Sequence, residues 1–233
     1  MMLRPWLRLA PLALLLALTA SAPADDGFHD LFDGKNLEGW VVEGPAKAKS
    51  GQPMWSVDDG RIVCLGEGFG FLRYDRQEFG DFTLRVEYRF EPAPKGKQKG
   101  NSGIGIRTGS FDPKRSRETR PSYASFEIQL LDDSGQSASE HGTGSLYRYK
   151  SPTANPSKPA PEWNTIEITC KGPRITVRIN GETVLEANQT DLADLRSKPA
   201  GTPAPENKPL RGYVALQSHS GQVEFRKVQI REP

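Results

Sequence analysis

Three short runs carry side chains suited to proton transfer and anion stabilisation. In Tyr123–Asp133, YASFEIQLLDD, an alternating pattern puts Phe126, Ile128 and Leu130 on one face. Ser125, Glu127, Gln129 and Leu131 fall on the other. A carboxylate and an amide two residues apart therefore point the same way from a predicted strand. In Asn101–Arg107, NSGIGIR, Ile104 and Ile106 share one face, and Gly103, Gly105 and Arg107 share the other. If these two strands pair, Arg107 meets Glu127 on a common polar face, and the small glycines leave room above the sheet. In GYVALQSHS, Tyr213, Ala215, Gln217 and His219 share a face opposite Val214, Leu216 and Ser218. Glu127 and His219 are the candidate acid–base groups and Arg107 the candidate anion stabiliser. Without a groove, the same pattern describes a solvated sheet face with a surface ion pair.

The elements that must position these residues are strands. Asp59-Gly60 marks a hairpin between the runs 55–58 and 61–65. Asp81–Phe90 alternates cleanly, with Phe82, Leu84, Val86, Tyr88 and Phe90 inward. Further strands are predicted over 69–74, 163–170, 174–179, 183–186, 212–219 and 223–230, with a short helical turn near 191–195. The stretches 108–122, 151–163 and 199–209 read as loops, the first carrying Arg115, Arg117 and Arg120. Ten to twelve short strands with almost no helix and no internal boundary point to one all-β domain, a two-layer sandwich or a barrel.

Residues 1–24 read as an export signal: Arg4 and Arg8, an apolar run Leu9–Leu18, and the small-residue site Ala22-Pro-Ala24. The apolar run is short for a membrane span. The expectation is a secreted or periplasmic protein whose mature domain covers 25–233. Cleavage removes Arg4 and Arg8 and takes the formal charge from +2 to 0. A neutral domain has no basic stripe for nucleic acid. The expected ligand is uncharged or is held by a local site. Cys64 and Cys170 each lie in a strand-like run. An exported protein permits a disulfide between them, and two buried thiols are the alternative. Two cysteines and three scattered histidines give no zinc-ligand spacing.

The chain resembles the 3-keto-disaccharide hydrolase domain family. The matching runs are LFDGKNLEGW (31–40), FGDFTLRVEYRF (79–90), NSGIGIR (101–107), FEIQLLDD (126–133), GSLY (144–147), EWNTIEITCKGPRITVRINGE (162–182) and GYVALQSHSGQVEFRKVQI (212–230). They follow one another over nearly the whole mature chain. Arg148, Tyr149 and Lys150 stand where the family often carries His or Lys. The resemblance implies a concanavalin-like jelly-roll β-sandwich of two antiparallel sheets whose concave sheet carries a ligand groove. It implies an exported bacterial enzyme acting on oligosaccharides or glycosides oxidised at C3. It places Glu127, His219 and Arg107 as catalytic candidates, and Gln129, Gln217, Asn101 and Tyr147 as substrate-binding candidates.

A 3-keto sugar has an acidic C2 proton. A base removes it, the enolate expels the glycosidic oxygen from C1, and water adds back. Glu127 or His219 is the candidate base, and Arg107 stabilises the enolate or orients Glu127. A divalent metal held by Glu127, His219 and a glutamine is compatible with this route, but no cofactor is required by the sequence. A two-carboxylate glycosidase is the competing mechanism. Asp132 points to the opposite face from Glu127, and Asp133 lies roughly 20 Å along the strand, too far for such a pair. A non-catalytic carbohydrate-binding module on the same fold is the alternative function. It would stack sugars on Trp40, Trp55, Tyr147 or Trp163, residues that could equally be core.

Overall fold

The computed structural model describes residues 26–95 and 99–233. The expected leader, residues 1–24, lies outside the described residues. Among the described residues thirteen strands follow in chain order. The first seven are β1 (His29–Asp30), β2 (Trp40–Glu43), β3 (Trp55–Asp58), β4 (Arg61–Cys64), β5 (Gly70–Tyr74), β6 (Phe82–Phe90) and β7 (Asn101–Thr108). The remainder are β8 (Phe126–Leu131), β9 (Asn164–Lys171), β10 (Arg174–Ile179), β11 (Glu182–Asn188), β12 (Tyr213–Ser218) and β13 (Val223–Arg231). Two single helical turns, α1 (Ser116–Thr119) and α2 (Pro121–Ala124), interrupt the loop between β7 and β8. Every strand pair is antiparallel. An eight-stranded sheet runs β11-β10-β9-β6-β13-β4-β3, with β1 beside β13. A five-stranded sheet runs β2-β5-β12-β7-β8. The expected sandwich of two antiparallel sheets is what the chain forms.

The period-two pattern sets which faces meet. Phe82, Leu84, Val86, Tyr88 and Phe90 of β6 are buried while the residues between them are half-buried. Ile104 and Ile106 of β7, Phe126, Ile128 and Leu130 of β8, and Val214 and Leu216 of β12 oppose them in one core. Each such side chain contributes about 1.5–3 kcal/mol on burial. A one-residue slip of β8 would expose three of them and drive Glu127 into the core, so its register is strongly specified. Glu127, Gln129 and Gln217 thereby face outward from the five-stranded sheet.

Arg107 departs from its expected place. Thr108 pairs with Tyr213 and Gly105 with Ala215, so β7 carries one residue more than β12 over this stretch. The extra residue is a bulge, and Arg107 takes a left-handed φ of 51° within it. The side chain leaves the outer face and becomes 2% exposed. Its Nε donates to Gly80 O (2.9 Å), Nη1 to Gly172 O (2.6 Å) and Nη2 to Asp81 Oδ1 (3.2 Å). Gly80 and Asp81 lead into β6 and Gly172 turns β9 into β10, so Arg107 ties one sheet to the other. The predicted pairing with Glu127 is thus corrected. Period-two counting fails at a bulge, and NSGIGIR does not reveal one.

One smaller reading changes and one open choice is resolved in favour of two buried thiols. The helical turn expected at 191–195 is instead a 3-10 turn at Gln189–Asp191, where Asn188 Oδ1 accepts from Thr190 N. Cys64 and Cys170 are both free and buried, in β4 and β9. Burial pushes the Cys64 thiol up to about 11 and the Cys170 thiol up to about 12, so both stay protonated.

Arg107→Met should leave the half-buried Gly80 and Gly172 carbonyls without this donor and lower unfolding stability by about 2–4 kcal/mol. Urea denaturation would measure this. Stability equal to wild type would remove the inter-sheet role.

Candidate functional site

The outer face of the five-stranded sheet is built around two missing side chains. On β7, Gly103 pairs with Gln129 and Gly105 with Glu127. Because β7 lies between β12 and β8, a side chain there would separate the other two strands. Gly103 lets Gln217 Nε2 of β12 reach over β7 and donate to Glu127 Oε1 of β8 at 2.6 Å. A Cβ at Gly103 would sit 2.6 Å from that same oxygen. The space over Gly105 is filled by Pro121 of α2, whose Cγ would lie 3.0 Å from a Cβ at that position. The glycines therefore make room for a carboxylate and a covering loop.

That loop supplies groups the sequence reading did not single out. Its start is held by Glu43 of β2, which accepts from Phe111 N at 2.8 Å and from Arg73 Nε at 2.7 Å. Its end is held by buried Lys208, whose Nζ donates to Tyr123 O and, at 2.8 Å, to Ser125 O. Between these anchors, Arg120 and Ser122 turn toward Glu127. The Arg120 guanidinium stacks 4.0 Å above the Phe69 ring.

A second segment, residues 144–147, pairs along the free edge of β8. Gly144 N donates to Gln129 O, Gln129 N to Ser145 O, and Tyr147 N to Glu127 O. This brings Tyr147 and Arg148 to the carboxylate. Arg148 has φ 72° and donates from Nη1 to the Tyr123 hydroxyl.

The resulting pocket is lined by Phe69, Asn101, Arg120, Ser122, Glu127, Gln129, Tyr147, Arg148, Gln217 and His219. Its cavity is about 40 Å³, room for about one water. Six of the seven predicted site residues, Glu127, His219, Gln129, Gln217, Asn101 and Tyr147, meet there; Arg107 does not. Arg120 and Arg148 occupy the cationic role that Arg107 was expected to fill. The arginines of the 108–122 loop and the RYK that follows GSLY were the available signals.

Glu127 is 4% exposed. Burial pushes its carboxyl up to about 7, against the opposing pull of the Gln217 hydrogen bond, the Arg120 and Arg148 charges and the Ser122 hydroxyl. His219 sits exposed at the rim, edge-on to Phe69 with ring centroids 5.6 Å apart. Partial burial and the Arg120 charge hold its imidazole below the usual value, so it is neutral at physiological pH. Gln129 Nε2 donates to Asn101 Oδ1 at 3.1 Å. Buried Asp133 is committed elsewhere, accepting from Thr143 and Asn155. The pocket lining thus holds one carboxylate and two guanidiniums. The groups in it that could hold a divalent cation are Glu127, His219 and the amide oxygens of Gln129 and Gln217. No set of three or more His, Cys, Asp or Glu suited to a metal ion comes together among the described residues.

The tryptophans weighed as sugar platforms are engaged elsewhere. Trp40 and Trp55 are buried in the core. Trp163 lies against the Arg89 and Arg226 guanidiniums, 4.8 and 4.0 Å from its ring, on the eight-stranded sheet. No helix among the described residues is long and apolar enough to cross a membrane.

The fold and the sequence both have relatives. A 3-keto-disaccharide hydrolase from Bacteroides thetaiotaomicron is 27% identical over 90% of this chain and 80% of its own length. A solved Parabacteroides distasonis protein assigned as a glycosyl hydrolase superposes with a TM-score of 0.68 at 22% identity, covering 89% of this chain and 94% of that one. The carbohydrate binding module CBM66 from Bacillus subtilis superposes at 0.54 with 12% identity, over 83% of this chain and 96% of that one. Residues 27–231 match the model of one family along nearly the whole described chain. The chain belongs to the 3-keto-alpha-glucoside-1,2-lyase-like domain family.

Proposed function

We propose that this chain is an exported enzyme that cleaves the glycosidic bond of 3-keto-glycosides by elimination followed by hydration. The observation that carries this reading is that Glu127 is the one carboxylate lining the pocket, together with two guanidiniums. A glycosidase of the two-carboxylate kind needs a second acid in the same pocket. Abstraction of a proton next to a ketone needs one base of matched pKa and a cation for the enolate oxygen. The pocket offers that set. The 3-keto-disaccharide hydrolase relative supports the substrate class.

In this reading the sugar lies over the mouth of the pocket with its C1–C3 edge toward Glu127. Ionised Glu127 takes the C2 proton, and the C2–H electron pair becomes the enolate, its charge on the C3 oxygen facing Arg120 and Arg148. The enolate collapses back to the ketone as C1=C2 forms and the C1–O bond breaks. The proton now on Glu127 passes to the leaving oxygen, which a carboxyl with its pKa near 7 can supply. Neutral His219 at the rim takes a proton from water as the oxygen adds to C1, and a proton returns to C2. The sum is hydrolysis. Gln217 keeps Glu127 aimed, and Gln129 and Asn101 hold sugar hydroxyls.

The test is reaction of the purified protein with a 3-keto-disaccharide and its unoxidised parent in D2O. Reducing sugar should appear only from the oxidised substrate, with deuterium at C2 of the product. Cleavage without C2 deuterium would favour direct displacement, and inactivity on a panel of 3-keto α- and β-glycosides would remove the activity altogether.

Glu127→Gln should fold and lose about 100-fold or more in turnover. In the wild type, kcat/KM should rise with pH to a midpoint near 7, because the base must be ionised. Arg120→Met removes a charge that favours the ionised form, so its midpoint should move above that of the wild type. A pH–rate series on the three proteins checks both statements.

The same carboxyl should mark thermal stability. Its folded pKa of about 7 exceeds its ordinary 4.5, so its stabilising contribution is complete below pH 4.5 and is lost as pH rises through 7. Glu127→Gln cannot ionise and should gain on wild type between pH 5 and 8, by a difference on the order of 3 kcal/mol. Melting curves of both proteins at the two pH values would show it; a pH-independent difference would mean the carboxyl is not held in a desolvating site.

A further inference from the structure

Two guanidiniums in the Glu127 pocket stand without an ion-paired carboxylate. Every other buried or half-buried arginine among the described residues meets a carboxylate at 3.2 Å or less. Half-buried Arg120 and Arg148 form no such pair. Both line the pocket, and the Nε of each is buried with no hydrogen-bond acceptor. Among the described residues nothing accepts a hydrogen bond from the Arg120 side chain. Arg148 spends Nη1 on the Tyr123 hydroxyl. Buried donors are normally satisfied and buried charges normally paired, so this pair of exceptions in one pocket points to a ligand.

The surroundings say what kind of ligand. Arg120 lies 4.0 Å over the Phe69 ring, and Arg148 lies 4.9 and 5.4 Å from the Tyr123 and Tyr147 rings. A guanidinium held over a ring leaves its in-plane N–H groups for an acceptor. Asn101 adds an amide to the same lining: its Oδ1 accepts from Gln129, and its Nδ2 has no partner among the described residues. Against these donors stands one carboxylate, Glu127, whose Oε1 already accepts from Gln217. The lining therefore carries an excess of positive charge and of donors. A cavity of about 40 Å³ admits a group of a few atoms, not a sugar ring. The small anion whose two oxygens match the planar fork of an arginine is a carboxylate.

We propose that Arg120 and Arg148, with the Asn101 amide, form a binding site for one carboxylate group, either a free small acid or the acid group of a sugar whose ring stays outside over the mouth. The assignment goes beyond the elimination reading, because it needs no reacting centre. Where that reading holds, the carboxylate stands where the enolate oxygen forms and competes with substrate.

The test is titration calorimetry of the whole chain at neutral pH and constant ionic strength with formate, acetate, glucuronate, glucose and chloride. At least one carboxylate should bind saturably, about tenfold or more tightly than glucose or chloride. Arg120→Met and Arg148→Met should each weaken it about tenfold, with circular dichroism reporting intact folding. Arg120→Lys keeps the charge without the planar fork and should also weaken it, which supplies the reading if Arg120→Met does not fold. Glu127→Gln removes the opposing charge and should bind the carboxylate more tightly than wild type. Glucuronate ahead of formate and acetate assigns the site to an acidic sugar, and the reverse order assigns it to a free acid. The proposal is overturned if wild type binds no carboxylate, if chloride binds as tightly, or if the arginine variants fold and bind as wild type does. Turnover plays no part in the measurement, so inactivity on 3-keto-glycosides would remove the catalytic reading and leave this one standing.

Discussion

The site depends on one hydrogen bond, from Gln217 Nε2 to Glu127 Oε1 at 2.6 Å. It crosses a central strand, and a Cβ at position 103 would sit 2.6 Å from the accepting oxygen. A carboxylate 4% exposed would otherwise be costly to ionise. Gln217, Ser122 and two guanidiniums lower that cost without removing it, and the balance leaves the carboxyl near 7. A group in that range can both take and return a proton at neutral pH. Burial is the larger effect, and it comes from the loop over β7 and the 144–147 segment along β8.

Those two covering segments are held by interactions away from the pocket. Glu43 and Arg73 capture the start of the loop through Phe111, and Lys208 captures its end through two carbonyl oxygens. Arg107 acts at a longer range, holding the two sheets together through Gly80, Asp81 and Gly172. Charged side chains thus do two jobs here. Glu43, Lys208 and Arg107 satisfy buried backbone groups and give the site its shape. Arg120, Arg148 and Glu127 set its electrostatics.

The sandwich itself resembles carbohydrate-binding and hydrolase folds alike, and the fold does not separate the two functions. The outer face of the five-stranded sheet supports the enzymatic reading proposed above. Trp40 and Trp55 lie in the core and Trp163 against the other sheet, while the polar groups of this face converge on one carboxylate rather than spreading as a flat platform.

Much of this was legible in the chain. Alternation in FEIQLLDD and GYVALQSHS determined that Glu127, Gln129 and Gln217 leave the core together, because side chains on a strand point to opposite faces in turn. The Asp59-Gly60 hairpin and the period-two run of β6 determined the class of fold for the same local reason. Tertiary structure decided the rest. Arg107 was misplaced because a bulge adds a residue to one strand only against its partner, and the partner, β12, lies about a hundred residues away. Arg120 and Arg148 were visible as charges in loops without periodicity, but their direction is set by Pro121 packing on Gly105 and by Tyr147 pairing with Glu127. Local pattern determines which face a residue occupies; contacts between distant segments decide which residues share a pocket, because only they exclude the water that a shifted carboxyl requires.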